Sequence, residues 1–128
     1  MTYYHSKKVQ LGFDEAVSRV TQALKEEGFG ILTEIDVKST LKKKLDVDFR
    51  NYRILGACNP PFAFKALQSE DKIGTMLPCN VIVQETRDGG VEVAAIDPVA
   101  SMKAIENPEL QEIAKTIGQK LKSVIQKC

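Results

Sequence analysis

The sequence predicts an α+β fold, with one sheet of about five strands that includes an antiparallel hairpin and carries helices packed on it. The hairpin is indicated by Asp88-Gly89-Gly90 between the apolar runs 80–86 and 91–96, because such turns need the positive φ that glycine adopts readily. Helices are indicated by apolar stripes at helical spacing, the longest of which follows Asn107-Pro108. A hairpin combined with helices favours α+β over a wholly parallel sheet.

The predicted order of elements is β-α-β-α-β-α-β-β-α-α. The strands are expected at about 3–10, 29–37, 51–58, 80–86 and 91–96, and the helices at about 13–27, 38–45, 60–69, 98–105 and 108–127. The first helix is expected to stop at Gly28, a residue type that favours the turn after a helix. Asn59, Asp97 and Asn107 each place a capping oxygen before a proline, which predicts three helix starts.

The one charge run, Lys42-Lys43-Lys44, falls in the short second helix. Its simpler interpretation is a solvated helix face. Its alternative is an anion site, although three lysines produce only a small local potential.

Length and composition limit the classes of protein. With 128 residues, 43% hydrophobic and 27% charged, the chain is expected to form a single domain, 1–128. Its net charge of +1 argues against nucleic acid as a partner. No apolar run reaches the roughly 18 residues of a membrane span, and the polar N-terminus lacks the apolar core of a signal peptide. We therefore expect a soluble cytoplasmic protein with no membrane partner.

The cysteine and histidine counts exclude several kinds of site. Three cysteines without close spacing argue against a disulfide framework, and a single histidine argues against most metal sites and catalytic triads. Two thiolates are able to hold a soft ion such as Cu(I), but nothing else in the sequence indicates one. No metal site is predicted, and no cofactor is identified.

Cys58 is the first candidate site residue. It ends the third strand, and with Asn59 as N-cap its thiol lies just outside a helix N-terminus, where the dipole favours a thiolate. Pro60 and Pro61 remove two of the N–H donors there, so the effect should be weak. Strand alternation places Cys58 on the face of Gly56, which leaves room beside it. The alternative interpretation is a small buried apolar residue.

Cys79 begins the fourth strand, on the face of Val81. A two-residue hairpin loop places Asn80 opposite Asp97, and a three-residue loop places Val81 opposite Asp97. Either register brings Asp97 to the Cys79-Asn80 end of the hairpin. If the third strand ends nearby, one rim carries catalytic candidates Cys58 and Cys79 and ligand-binding candidates Asn59, Asn80 and Asp97. Packing and helix capping are the alternatives for all five.

These motifs resemble a known family. Tyr52-Arg-Ile-Leu-Gly-Ala-Cys58-Asn-Pro60, Leu77-Pro-Cys79-Asn-Val81 and Ile96-Asp97-Pro98 are similar to the family catalogued as domain of unknown function number 302. Gly28-Phe-Gly-Ile-Leu-Thr-Glu-Ile-Asp36-Val37 fits it too, so the resemblance covers nearly the whole chain. It implies a small bacterial-type α+β domain that forms a homodimer, and it implies no activity.

Three functions remain open. The first is a domain that binds a small molecule, or bears a functional thiol, around Cys58 and Cys79. The second is an enzyme of thiol or sulfur chemistry that uses one of these cysteines. The third is a non-catalytic module in which the cysteines pack and apolar helix faces form a homodimer.

Overall fold

The computed structural model describes residues 2–128 and confirms the α+β fold and the order of its elements. The strands are β1 (Tyr4–Val9), β2 (Gly30–Asp36), β3 (Tyr52–Cys58), β4 (Cys79–Glu85) and β5 (Val91–Ile96). The helices are α1 (Phe13–Glu26), α2 (Val37–Leu45), α3 (Pro60–Ser69), α4 (Pro98–Ser101) and α5 (Pro108–Lys127), and a 3-10 turn spans Ile73–Met76. The strands form one antiparallel sheet in the order β1-β5-β4-β3-β2.

One face of the sheet is covered by helices α1 and α5. Alternate residues of the strands point to this face, and they form the main core with the apolar stripes of both helices. Its fully buried side chains include Val20 and Leu24 of α1, Leu55 and Val81 of the sheet, and Leu121 of α5. The long stripe of α5 is therefore buried inside this chain.

A second, smaller core lies beside the first one, under the N-terminal half of α5. It is formed by α3, the 3-10 turn, α5 and the segment that follows α4. Its buried residues are Ala66, Ile73, Met102, Leu110 and Ala114. Helix α5 therefore belongs to both cores. Its C-terminal half packs against α1, and its N-terminal half faces α3.

The opposite face of the sheet carries no part of the main core. Ile35, Ile54, Ile82 and Ala94 lie in register across four strands on this face. We call it the open face. Edge strand β2 is exposed along nearly its whole length and has an irregular register between Ile31 and Thr33.

The hairpin has a register that neither predicted loop gives. Val81 pairs with Ala95 and Glu85 with Val91, and the Thr86 amide donates to the Gly90 carbonyl at 2.9 Å. Both predicted registers, with Asn80 or Val81 opposite Asp97, are therefore wrong. Gly89, at the end of the loop that follows Thr86, has a φ of 83° and is therefore in the left-handed conformation that glycine adopts readily.

Helix α4 is shorter than predicted, since it ends at Ser101 instead of near 105. The reason is a side chain from α5. The Gln111 amide donates to the carbonyl oxygens of Met102 at 2.9 Å and of Ile105 at 2.8 Å, which stabilises that segment in a non-helical conformation.

Candidate functional site

A cavity of about 290 Å³ lies between the ends of β3 and β4, helix α3 and the N-terminal half of α5. We call it the apolar cavity. Among the described residues that form its wall there is no Asp, Glu, Lys, Arg or His. The wall consists of Phe29, Leu32, Ala57, Cys58, Asn59, Phe62, Ala63, Ala66, Leu67, Leu77, Pro78, Cys79, Pro98, Met102, Leu110, Ile113, Ala114 and Ile117.

The structure brings Cys58 and Cys79 together in this wall. Ala57, the residue before Cys58, pairs with Cys79 across β3 and β4. Cys79 is buried and shares the core-facing side of β4 with Val81, as the alternation predicted. Cys58 is half-buried, and both cysteines are free thiols. The two candidates thus lie in the wall of one cavity.

Cys58 lines the apolar cavity, whereas Gly56, two residues earlier in β3, lies on the open face. Cys58 is the last residue of β3, and its neighbour Ala57 also lines the cavity. The room at Gly56 is also filled, because a Cβ there would meet the Thr33 hydroxyl and lie 2.8 Å from Cγ of Pro78. The expectation that Gly56 leaves space for Cys58 is therefore wrong.

The surroundings of Cys79 keep its thiol neutral. Burial raises the pKa of the Cys79 thiol from 9.0 to about 11, and the electrostatic effect of neighbouring Cys58 acts in the same direction. At neutral pH Cys79 is therefore a protonated, weakly polar wall residue. Since only a thiolate is a strong nucleophile, Cys58 is the better candidate for chemistry.

Asn59 occupies the N-cap position of α3, but its side chain makes no capping hydrogen bond. Instead its amide donates to the backbone carbonyl of Glu27, at the end of α1, at 3.4 Å. Asn59 is only 8% exposed, and it lines the cavity. Its predicted capping role is wrong, because Pro60 and Pro61 remove donors while the end of α1 offers a free carbonyl.

Glu27 connects this corner to the C-terminal end of α5. Lys127 Nζ lies 2.7 Å from Glu27 Oε2 and 3.5 Å from Glu26 Oε1. The hydrogen bond from Lys127 holds the pKa of the Glu27 carboxyl below its usual value of 4.5. The cavity wall is thus joined through Asn59 to the pair that connects α1 and α5.

Asn80 and Asp97 lie outside the apolar cavity. Asn80 is exposed and pairs with Gly56, which places it on the open face. The Asp97 carboxylate accepts from the Val99 amide at 3.0 Å and caps α4. Asp97 is therefore a helix cap, as the alternative interpretation held. Asn80 borders a separate groove lined by tyrosines.

Sequence reasoning missed most of the wall. Phe62 on α3 and Leu110, Ile113 and Ile117 on α5 show only the apolar pattern of helix faces, and no motif surrounds Met102. The signal available in the sequence was small residues at helical spacing, since Ala63 and Ala66 on α3 face Ala114 on α5 across the cavity. Small side chains on facing helices leave volume between them.

Residues 2–128 contain neither a cluster of metal ligands nor a helix able to span a membrane. No group of three or more His, Cys, Asp or Glu side chains able to hold a metal occurs there. The helices described in that range are all too short or too polar to cross a bilayer.

Comparison with known proteins supplies the family. The model of the family described as "Domain of unknown function DUF302" matches residues 5–128. The chain belongs to the DUF302 family. The apolar cavity is therefore a feature of a DUF302 domain, and the two cysteine motifs that resembled this family contribute both thiols to its wall.

A solved DUF302 structure has the same fold. The crystal structure of an uncharacterized conserved DUF302 protein from Bacillus stearothermophilus is 29% identical to this chain, with a TM-score of 0.93. The similarity covers 100% of this chain and 99% of the Bacillus chain. Curated proteins gave no match. The descriptions of the family and of the Bacillus protein name no ligand or reaction.

Proposed function

We propose that this DUF302 domain binds a small apolar molecule in the cavity whose wall contains Cys58 and Cys79. The supporting observation is the cavity itself, about 290 Å³ in volume and lined almost entirely by apolar side chains. Cavities of this character remain dry or take up apolar guests, because water inside them finds too few polar partners.

The size of the cavity fits a small guest. At about 30 Å³ for each water-sized atom, it accommodates roughly ten non-hydrogen atoms. It lies at the lower limit of ordinary ligand pockets, which begin at about 300 Å³. Each buried methylene contributes about 0.8 kcal/mol, so a guest of this size is able to bind through burial alone.

The test is a thermal-shift titration with 1-octanol and naphthalene against two matched variants. Cys58→Leu places a larger side chain in the cavity wall, whereas Cys128→Leu makes the same change outside that wall. We expect a rise in Tm with ligand for the wild type and for Cys128→Leu, and a reduced rise for Cys58→Leu. Ala63→Leu fills the cavity from α3 and provides a second variant.

Equal shifts for the wild type, Cys58→Leu and Ala63→Leu would exclude binding in this cavity. The absence of any shift with either probe would contradict the proposed function itself.

Thiol chemistry at Cys58 is the second candidate function. It is supported by the half-buried position of Cys58 in an apolar wall, next to a cysteine that stays protonated. A small alkylating agent at pH 7.5 should modify Cys58 faster than Cys79, as measured by mass spectrometry of the peptides. Equal inertness of both thiols in the native protein would exclude this role.

Free thiols also support the proposed cytoplasmic location, where thiols stay reduced.

The homodimer is the third candidate, with the open face as its interface. The predicted interface, the α5 stripe, is buried within the chain, but all three tyrosines border a groove on the open face. Glu92 and Gln84 lie at the end of the groove where Tyr52 pairs with Gln84, whereas Tyr4 lies at the other end, opposite Ile96. A second copy related by a two-fold axis would place tyrosine hydroxyls near these acceptors.

Light scattering tests the dimer. Ile82→Glu, which places a charge on the open face, should give a monomer. Leu67→Glu also replaces an apolar side chain by a carboxylate, but it lies away from the open face and should leave the dimer intact. A monomeric wild type would exclude the dimer.

A further inference from the structure

We infer that the ligand of the apolar cavity is a single-chain amphiphile, with an alkyl chain inside the cavity and an anionic group held outside it by Lys65, beside Phe62 of the wall. This inference rests on the proposed function, because it requires the cavity to bind a guest. It adds the chemical class of that guest.

The interior cannot hold a charged group. The only polar side chains in the wall are the two thiols and Asn59, whose amide already donates to the Glu27 carbonyl. Transferring a charge into such surroundings without a partner is very costly. Any charged part of the ligand must therefore remain outside, at the mouth.

Two exposed leucines identify the mouth. Most of the wall is buried or half-buried, but Leu32 is 66% exposed and Leu67 is 45% exposed, although both line the cavity. Leu32 lies on β2 where the register is irregular, and Leu67 lies on α3. Their exposed surfaces extend the apolar wall outward, so an alkyl chain longer than the interior stays in apolar contact as it leaves.

A cation is held against the same wall. Lys65 Nζ lies 5.4 Å from the centroid of the Phe62 ring, and Phe62 lines the cavity. Within residues 2–128 no carboxylate forms a salt bridge with Lys65. The Phe62 ring thus fixes an ammonium group beside the cavity without neutralising it, which favours an anionic head over a neutral or cationic one.

The experiment is isothermal titration calorimetry at low ionic strength with decanoate, 1-decanol and decyltrimethylammonium, which share a ten-carbon chain and differ in charge. For the wild type we expect decanoate to bind tightest and the cationic probe weakest. Lys65→Met keeps the length of the side chain but removes its charge. It should weaken decanoate about 3-fold, a size typical of an exposed ion pair, and leave decanol unchanged. Lys72→Met, which alters an exposed lysine outside the wall, is the matched control.

Chain length provides an independent measurement. From hexanoate to decanoate the affinity should rise about 4-fold for each added methylene, and it should level off beyond about ten carbons when the interior is full. High salt should abolish the advantage of decanoate over decanol, because screening weakens exposed charge pairs.

The outcomes separate this inference from the proposed function. Decanol binding as tightly as decanoate, or an equal loss for both in Lys65→Met, would overturn the anionic head while the apolar cavity site stands. Failure of decanoate and decanol alike to bind would overturn the proposed function as well.

Discussion

The two halves of helix α5 are equally buried but differently packed. In the C-terminal half, Leu121 and Val124 are fully buried against α1 and the sheet. In the N-terminal half, Leu110 and Ala114 are just as inaccessible, yet they border a cavity of about 290 Å³. A helix face can therefore be inaccessible to solvent without being closely packed. The side chains of the helix that packs against it determine whether a cavity remains between the two.

The partner helices explain the difference. Helix α1 presents four buried residues to the core, including Val20 and Leu24, which fill the space beneath the C-terminal half of α5. Helix α3 presents only one fully buried residue, Ala66, with half-buried Ala63 beside it. The short side chains of α3 leave the volume that we propose a ligand occupies.

The largest expected loss of stability is in the closely packed C-terminal half of α5. Leu121→Ala should lower the free energy of unfolding by about 4 kcal/mol, because close-packed neighbours cannot collapse into the space. Leu110→Ala only enlarges an existing cavity and should cost about 2 kcal/mol. Urea unfolding at pH 7 measures both. Equal losses would mean that the two halves are packed alike.

The next prediction concerns the buried thiol of Cys79, which lines the apolar cavity. The folded-state pKa of Cys79 is raised to about 11 by burial, from 9.0. The protonated thiol is therefore favoured in the folded state, and stability should fall by about 3 kcal/mol as pH rises from about 9 through 11. Cys79→Val removes this titration, so urea unfolding of the variant should show a smaller fall over the same range. Identical pH profiles would show that Cys79 is not desolvated.

A smaller effect compares one substitution at two sites. Ala23→Val crowds the solid core and should cost about 2 kcal/mol. Ala114→Val projects into the cavity and should cost no more than the roughly 0.5 kcal/mol by which valine disfavours a helix, a cost that both variants share. Thermal unfolding checks the difference. A larger loss for Ala114→Val would contradict the presence of free space beside α5.

The smallest effect concerns the pair that connects α1 and the end of α5. Because Lys127 lowers the pKa of Glu27, the Glu27 carboxylate contributes stability above its ordinary pKa of 4.5 that is lost as pH falls through the lowered value. Glu27→Gln should therefore cost less than about 1 kcal/mol at pH 7, and this cost should shrink as pH falls through the lowered pKa of Glu27. Urea unfolding at pH 7 and pH 3 provides the measurement, with Glu112→Gln as the control, since Glu112 is an exposed carboxylate of α5 that forms no salt bridge within residues 2–128.

Local chemistry allowed much of the fold to be predicted. The capping oxygen of Asn107 does accept from the Leu110 amide, at 3.2 Å, as the Asn-Pro pattern predicted. The same pattern at Asn59 failed, because a carbonyl from Glu27, distant in sequence, takes its amide. The hairpin was predicted, but its register depended on the conformation of the loop around Gly89.

The site was harder to predict because it depends on nonlocal geometry. The meeting of Cys58 and Cys79 requires β3 and β4 to be neighbours, and no local pattern specifies strand order. The cavity depends on the summed volumes of side chains from several elements. The sequence could therefore supply three of its wall residues, Cys58, Asn59 and Cys79, as candidates, but it could not supply the empty volume between them.

The two outer strands of the sheet limit how copies of this domain can aggregate. β2 is broken by its irregular register between Ile31 and Thr33, and β1 carries Lys7 and Lys8. A bulge and lysines both hinder the addition of a further strand, which is how amyloid-like stacking begins. The domain is thus protected against open-ended growth along the sheet, because neither edge readily accepts a further strand.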